Sequence, residues 1–209
     1  MQHRNNTKLH FAIVLFNGFE TLDVFGPVEM FGFQEEDYEI EFYSSEGGLI
    51  RSYHNVRVQT LPFSEIPKEN YVFFVPGGRG TRTLLNDEGY LNKLKPLAKQ
   101  ATYVMTVCTG SGLLAKAGLL KGKKATTNKM AYDIMTALDS EVIWIKQARW
   151  VVDGNYYTSS GVSAGMDMAL AFIAEHNGMD TAKDVARKAE YIWNEDPNND
   201  PFAANNTLC

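Results

Sequence analysis

The amino-acid sequence predicts an α/β fold: a three-layer sandwich in which a mostly parallel sheet carries helices on both faces. Three observations predict it. The short, continuously apolar runs "HFAIVLF", "YVFFV" and "YVMTV" read as strands buried on both faces, not as alternating surface strands. Each run ends in small or turn-forming residues: Asn17-Gly18, Pro76-Gly77-Gly78 and Cys108-Thr109-Gly110. Stretches of helical periodicity follow after short connections, as βαβ units require. The 209 residues suffice for one domain spanning 1–209, with neither repeat nor linker, a core over about 9–194 and a polar C-terminal tail.

After the first strand, "TLDVFGPVEMFGF" puts Leu22, Phe25, Val28 and Phe31 on much of one helical face, and Pro27 predicts a kink or restart. "YEIEFYSSEGG" alternates with period two and reads as a strand that stops at Gly47-Gly48. "NVRVQTLPF" is a short strand or hairpin arm. Beyond the second buried strand, "NDEGYLNKLKPLAKQ" spaces Leu91, Leu94, Leu97 and Ala98 as a helix, capped by Asn86 or Asp87 and bent by Pro96. "SGLLAKAGLLKG" is the helix after the third strand, stopped by Gly122. A short strand "KATT" and a helix "KMAYDIMTAL" come next. "EVIWIKQARWVVDGNYYTSSG" reads as strands broken by a turn at Asp153-Gly154-Asn155. "SAGMDMALAFIAEHNG" is apolar on most sides, a buried helix capped by Ser163 and ended by Gly178. "TAKDVARKAEYIW" is an amphipathic final helix, and "NEDPNNDPFAANN" a polar tail.

Composition narrows the function. Hydrophobic residues make up 44% and charged residues 22%, an ordinary globular balance. The net charge is −5, and the one basic cluster, Lys121, Lys123 and Lys124, reads as a solvated turn. Nucleic acid and membrane surfaces are therefore not expected partners. No apolar run approaches the ~20 residues of a membrane span. The run Phe11 to Phe16 falls short of the ~7–15 residues of a signal h-region, so a cytoplasmic protein is expected. Cys108 and Cys209 form no disulfide framework, and both thiols are expected to be reduced. None of His3, His10, His54 and His176 shows ligand spacing with a cysteine, so no metal and no other cofactor is expected.

The candidate chemistry sits at the joint around Cys108. In open α/β sheets, ligands bind outside the carboxyl ends of the strands. Gly110, Ser111 and Gly112 are the small neighbours that a sharp strand-to-helix turn needs, and such a nucleophile elbow lifts one side chain out of the sheet. At a helix N-terminus the free N–H groups favour an anion, so a Cys108 thiolate is expected near neutral pH. The Gly77-Gly78 turn is expected to bring backbone N–H donors to the same spot, against negative charge developing on a bound small molecule. A buried, inert cysteine is the other account of Cys108. No histidine lies where a Cys–His pair needs one. His10 precedes the first strand, His54 sits in a hairpin, and His176 ends a buried helix. A carboxylate is the remaining partner. Glu20 and Asp23 both follow the first strand, and Asp23 lies among Leu22, Val24 and Phe25. Burial and a nearby thiolate would raise its pKa and leave it a proton to donate to sulfur. A helix N-cap explains Asp23 equally well.

Taken together and in order, "FAIVLFNGFETLDVFGPVEMF", "VFFVPGG", "VMTVCTGSGLLAKAGLLKGKKATTN" and "YYTSSGVSAGMDMALAFI" resemble the ThiJ/PfpI superfamily, over nearly the whole chain. The resemblance implies its flavodoxin-like, class I glutamine amidotransferase-like fold. Within the superfamily the sequence is most similar to isocyanide hydratases and to the sensing domains of AraC-type regulators. Isocyanide hydratases are homodimers that add water to an isocyanide to give an N-substituted formamide. On this resemblance Cys108 matches the nucleophile, Asp23 the acid facing its sulfur, and Thr109 the assisting hydroxyl. Gly78 and the Thr109 N–H match the oxyanion-hole position. Two departures disfavour other chemistries. Thr109 stands where protease-like members have histidine, and Asn128 stands where glyoxalase-like members often have one.

Two functions follow as expectations. The first is an enzyme in which Cys108 attacks a small substrate such as an isocyanide, with Asp23 as general acid and base and Thr109 orienting water or substrate. The second is a sensor or stress-response module whose thiol is oxidised by peroxide.

Overall fold

The computed structural model describes residues 8–204 of the chain; His3 and Cys209 lie outside the described residues. The chain runs through β1 (Leu9–Val14), α1 (Thr21–Gly32), β2 (Tyr38–Ser44), β3 (Glu46–Arg51) and β4 (Arg57–Pro62). Next come β5 (Tyr71–Val75), α2 (Thr81–Leu84), α3 (Glu88–Gln100), β6 (Tyr103–Val107) and α4 (Gly110–Lys116). β7 (Lys124–Ala125), α5 (Tyr132–Thr136), β8 (Ile143–Trp144), β9 (Trp150–Asp153), β10 (Tyr156–Ser159), α6 (Ala164–Asn177) and α7 (Met179–Lys188) complete it.

Eight strands form one sheet in the order β3-β4-β2-β1-β5-β6-β10-β9. Every pairing from β4 across to β10 is parallel. The edge strands β3 and β9 are antiparallel to their neighbours, and β7 and β8 form a separate parallel pair. The α/β fold class predicted from the buried runs is the one observed. β5 is buried at every residue, because helices cover both faces and leave no strand face to solvent. α1 packs on α6 and α6 on α7, while α3 and α4 pack together in the other layer. Phe172 of α6 anchors the first layer: its ring lies 5.3 to 6.3 Å from those of Phe11, Phe31, Tyr38, Tyr103 and Tyr157. Among the described residues no helix is long and apolar enough to cross a membrane.

The chain winds from β1 to β2 on one side and then returns to lay β5 on the other side of β1. This reversal sets the carboxyl ends of β1 and β5 side by side, the crevice where open parallel sheets take ligands.

Several local expectations change. Helix α1 runs unbroken through Pro27. Proline removes one backbone donor, but Pro27 packs within contact of Gly165 on α6 and the tertiary packing holds the helix together. Strand β3 continues through Gly47 and Gly48 at φ +74° and +90°, paired to β4, where a stop was expected. Helix α4 ends at Lys116 with Gly118 at φ +74° behind it, well short of Gly122. Asp87 is the N-cap of α3, accepting from the Tyr90 N–H at 2.9 Å. Ser163 flanks α6 but makes no capping bond; its hydroxyl accepts from Arg149 at 3.1 Å. The C-terminal segment is not simply polar and solvated, since Asp200 is buried.

Candidate active site

Four strand ends meet at Cys108. Asp23 lies in the first turn of α1, just after β1. Gly77 and Gly78 follow β5, Cys108 follows β6, and Ser160 and Gly161 follow β10. Cys108 has φ +58°, the left-handed region, which costs an L-residue about 1–2 kcal/mol. Its backbone is braced on both sides. The Cys108 N–H donates to the carbonyls of Ser159 and Ser160 at 3.2 and 3.1 Å. The Cys108 carbonyl accepts from the Ser111 and Thr127 hydroxyls at 3.1 and 3.0 Å. The elbow read from the sequence is therefore present, and its strain is offset by four hydrogen bonds. Cys108 is only 6% exposed.

Asp23 is fully buried. Its Oδ2 accepts from the Gly77 N–H at 2.9 Å, while Oδ1 has no regular hydrogen-bond partner. The N-cap position of α1 belongs to Glu20, so of the two accounts of Asp23 the cap falls away. Burial is the main force on its carboxyl and pushes the pKa up to about 8, with Glu20 adding to the rise. Bonds to Gly77 and Cys108 pull the other way. At neutral pH the carboxyl is mostly protonated.

The expectation of a resting thiolate at Cys108 needs correction. Burial, and after it the neighbouring Asp23 carboxyl, push the Cys108 thiol well above its ordinary pKa. The Thr109 N–H and the Asn128 amide oppose this by bonding to the sulfur. A helix of seven residues offers too little dipole and too little solvent to win against desolvation. The resting pair is thus a thiol beside a neutral acid.

The other expected residues divide. The Thr109 N–H faces the sulfur, as expected of a donor there. The Thr109 Oγ1 accepts from the Gly78 N–H at 3.1 Å and lies 3.1 Å from the Thr81 hydroxyl. Gly78 therefore spends its donor on Thr109, not on an open oxyanion site. Gly77 spends its donor on Asp23 in the same way. A side chain at Gly77 would put Cβ 2.5 Å from the Thr109 nitrogen and 2.9 Å from Asp23 Oδ2. Gly77→Ala is expected to lower the melting temperature by about 5 °C, from an overpacking cost of ~2 kcal/mol. A thermal melt within 1 °C of wild type would contradict the tight approach.

Sequence reasoning passed over Asn128, noting it only as a missing histidine. Its Oδ1 accepts from the Ala131 N–H at 3.0 Å, which turns its NH2 toward Cys108. Gly161 leaves room for it: a Cβ there would fall 2.0 Å from Asn128 Nδ2 and 3.3 Å from Cys108 Sγ. The "TTN" after the elbow helix was the available signal. The described histidines are engaged elsewhere. His10 pairs with Tyr43, His54 with Glu20 and Thr21, and His176 stacks on Phe172. Among the described residues no group of three His, Cys, Asp or Glu side chains is arranged to hold a metal ion.

A family model described as the DJ-1/PfpI family matches residues 10–175. The chain belongs to the DJ-1/PfpI family. Among DJ-1/PfpI relatives, the isonitrile hydratase of Pseudomonas putida is 36% identical over 184 residues, 88% of this chain and 78% of that protein. Deglycase PfpI of Pyrococcus furiosus is 32% identical over 145 residues, 68% of this chain and 84% of its own. The crystal structure of a ThiJ/PfpI family protein from Pseudomonas syringae superposes with a TM-score of 0.81 at 30% identity, covering 90% of this chain and 76% of that one. The DJ-1/PfpI assignment agrees with the resemblance read from the elbow and glycine-turn motifs.

Proposed function

We propose that this chain is a cysteine-dependent enzyme that adds water to the terminal carbon of an isocyanide, releasing an N-substituted formamide. The carrying observation is the contact between a strained cysteine and a buried carboxyl held neutral. The 36% identity to an isonitrile hydratase supports the choice of substrate.

A thiol and a neutral acid suit this substrate. The isocyanide carbon carries a lone pair and becomes electrophilic once protonated. The Asp23 carboxyl gives its proton to that carbon and takes the proton of the Cys108 thiol. The sulfur bonds to the same carbon, giving a thioimidate, R–N=CH–S–Cys108. No net charge is created in the buried site, where an unpaired ion would be costly. The Thr109 N–H and the Asn128 amide stabilise the partial negative charge on sulfur as its proton leaves. Water then adds to the thioimidate carbon. Asp23 relays the proton that returns the sulfur as a thiol, and R–NH–CHO leaves. No atom changes oxidation state in the sequence. The sensing alternative draws less support, because peroxide attacks an exposed thiolate and this thiol is buried and protonated.

The test is the purified protein on cyclohexyl and p-nitrophenyl isocyanide, with formamide detected by mass spectrometry. One 18O from labelled water is expected in each product. No formamide from either compound overturns the substrate assignment. The resemblance to homodimeric hydratases also leads us to propose a homodimer. Light scattering should give twice 23.4 kDa, and a monomer mass would sink it.

A further inference from the structure

The pocket beside Cys108 has a wall that the elbow does not supply. A cavity of about 280 Å³ is lined in part by Leu22, Asn128, Met130, Gly161, Val162 and Phe202. Asn128 and Gly161 are the residues at the sulfur. Phe202 comes from the C-terminal segment, beyond the last sheet strand and outside the family match, which ends at residue 175.

That segment is bolted down. Asp167 of α6 accepts from the Tyr191 hydroxyl and the Asn194 N–H, each at 3.0 Å. The Trp193 indole donates to the Asp167 carbonyl at 3.2 Å. The Arg149 N–H donates to the Pro197 carbonyl at 2.7 Å, and the Asp200 N–H to the Gln147 carbonyl at 2.9 Å. The Asp200 side chain is fully buried, 3.6 Å from Lys129 Nζ and 3.7 Å from Arg149 Nη1. Its Oδ1 accepts from the Phe202 N–H at 3.0 Å, which fixes the turn that carries the ring. A buried anion between two cations is not a solvated tail, and breaking one side of such a cluster is costly.

We infer that segment 194–203 is the specificity wall of the active site, with Phe202 packing on the substrate's apolar group and Asp200 as the residue that positions it. The class it fits is a neutral molecule bearing one ring or a compact branched alkyl group. A cavity of about 150 Å³ holds benzene, so this one has room for a substituted six-membered ring. The reaction named in the assay below rests on the hydratase reading; the wall does not.

The test uses the Cys209→Ser background, in which Cys108 is the one remaining thiol. Cys108 is labelled at pH 9 in long incubations with N-phenylmaleimide at rising concentration and, separately, with iodoacetamide; a wild type labelled by neither reagent has no open pocket at the sulfur, which overturns the wall. In Phe202→Ala the half-saturating concentration of N-phenylmaleimide rises about tenfold, while the iodoacetamide rate stays within twofold. Phe202→Leu recovers most of the loss, and Asp200→Asn reproduces Phe202→Ala. Phe202 is half exposed, so its truncation leaves the fold intact. An unchanged half-saturation in Phe202→Ala overturns the wall, and an unchanged value in Asp200→Asn overturns the anchor. On isocyanides, Phe202→Ala lowers kcat/KM for the cyclohexyl compound about tenfold more than for the methyl compound. If wild type hydrates neither isocyanide, the proposed reaction fails while the labelling series still decides the wall.

Discussion

Cys108→Ala is expected to lower the hydration rate of p-nitrophenyl isocyanide by a factor on the order of 10⁴ or more, because the covalent route through a thioimidate closes entirely. The measurement is initial rate against wild type at equal concentration, with formamide quantified by mass. Residual turnover above one part in a hundred would remove Cys108 from the nucleophile role. The same position carries a stability prediction of its own. The alanine variant keeps a Cβ at φ +58°, whereas Cys108→Gly adopts that backbone without steric cost. The glycine variant is expected to be more stable than the alanine variant by roughly 1 kcal/mol in urea unfolding. Equal midpoints for the two would mean that the four hydrogen bonds around Cys108 do not hold a strained residue. Activity and stability are thus read from one residue by independent measurements.

Much of the site was legible because of how parallel sheets are written. A strand buried on both faces appears as an unbroken apolar run, and its carboxyl end appears as the first glycines or polar residues after it. Asp23, Gly77 and Cys108 each follow such a run, so the fold that collects the runs collects these residues as well. The protonation state was not legible. A thiol at a strand-to-helix joint suggests an anion, but what decides the matter is burial, and after it the Asp23 carboxyl, 85 residues earlier in the chain. Asn128 itself looks like any polar loop residue until Gly161 is placed against it. The C-terminal wall was hidden for a related reason. "NEDPNNDPF" has the composition of a solvated tail, and only the distant cations Arg149 and Lys129 turn Asp200 inward. Likewise the periodicity of α1 is correct, yet proline at position 27 argues locally for a break that packing against α6 overrides.

Asp23→Asn separates the chemistry of the site from its stability, and the two are expected to move in opposite directions. The amide keeps the shape and can accept from the Gly77 N–H, but it has no acidic proton to exchange with substrate and sulfur. Hydration is expected to fall about 10³-fold, within the range for removal of a general acid–base group. Stability is expected to rise. The carboxyl has an ordinary pKa near 3.8 when the chain is unfolded and about 8 in the folded protein. Above pH 4 the unfolded chain releases this proton and the folded chain retains it, so the wild type loses stability as pH climbs until the folded carboxyl ionises near pH 8. Each unit of that interval corresponds to ~1.4 kcal/mol, a total on the order of a few kcal/mol. Asparagine titrates in neither state. The gap in unfolding free energy between Asp23→Asn and wild type should therefore open between pH 4 and pH 8 and stay level above it. In the same window the wild-type hydration rate should hold below pH 8 and decline above it, as the proton that attacks the isocyanide carbon is lost. A gap that stays constant from pH 4 to pH 8 would mean the carboxyl is ionised in the folded protein. The proton relay from Asp23 would then have no proton to begin with.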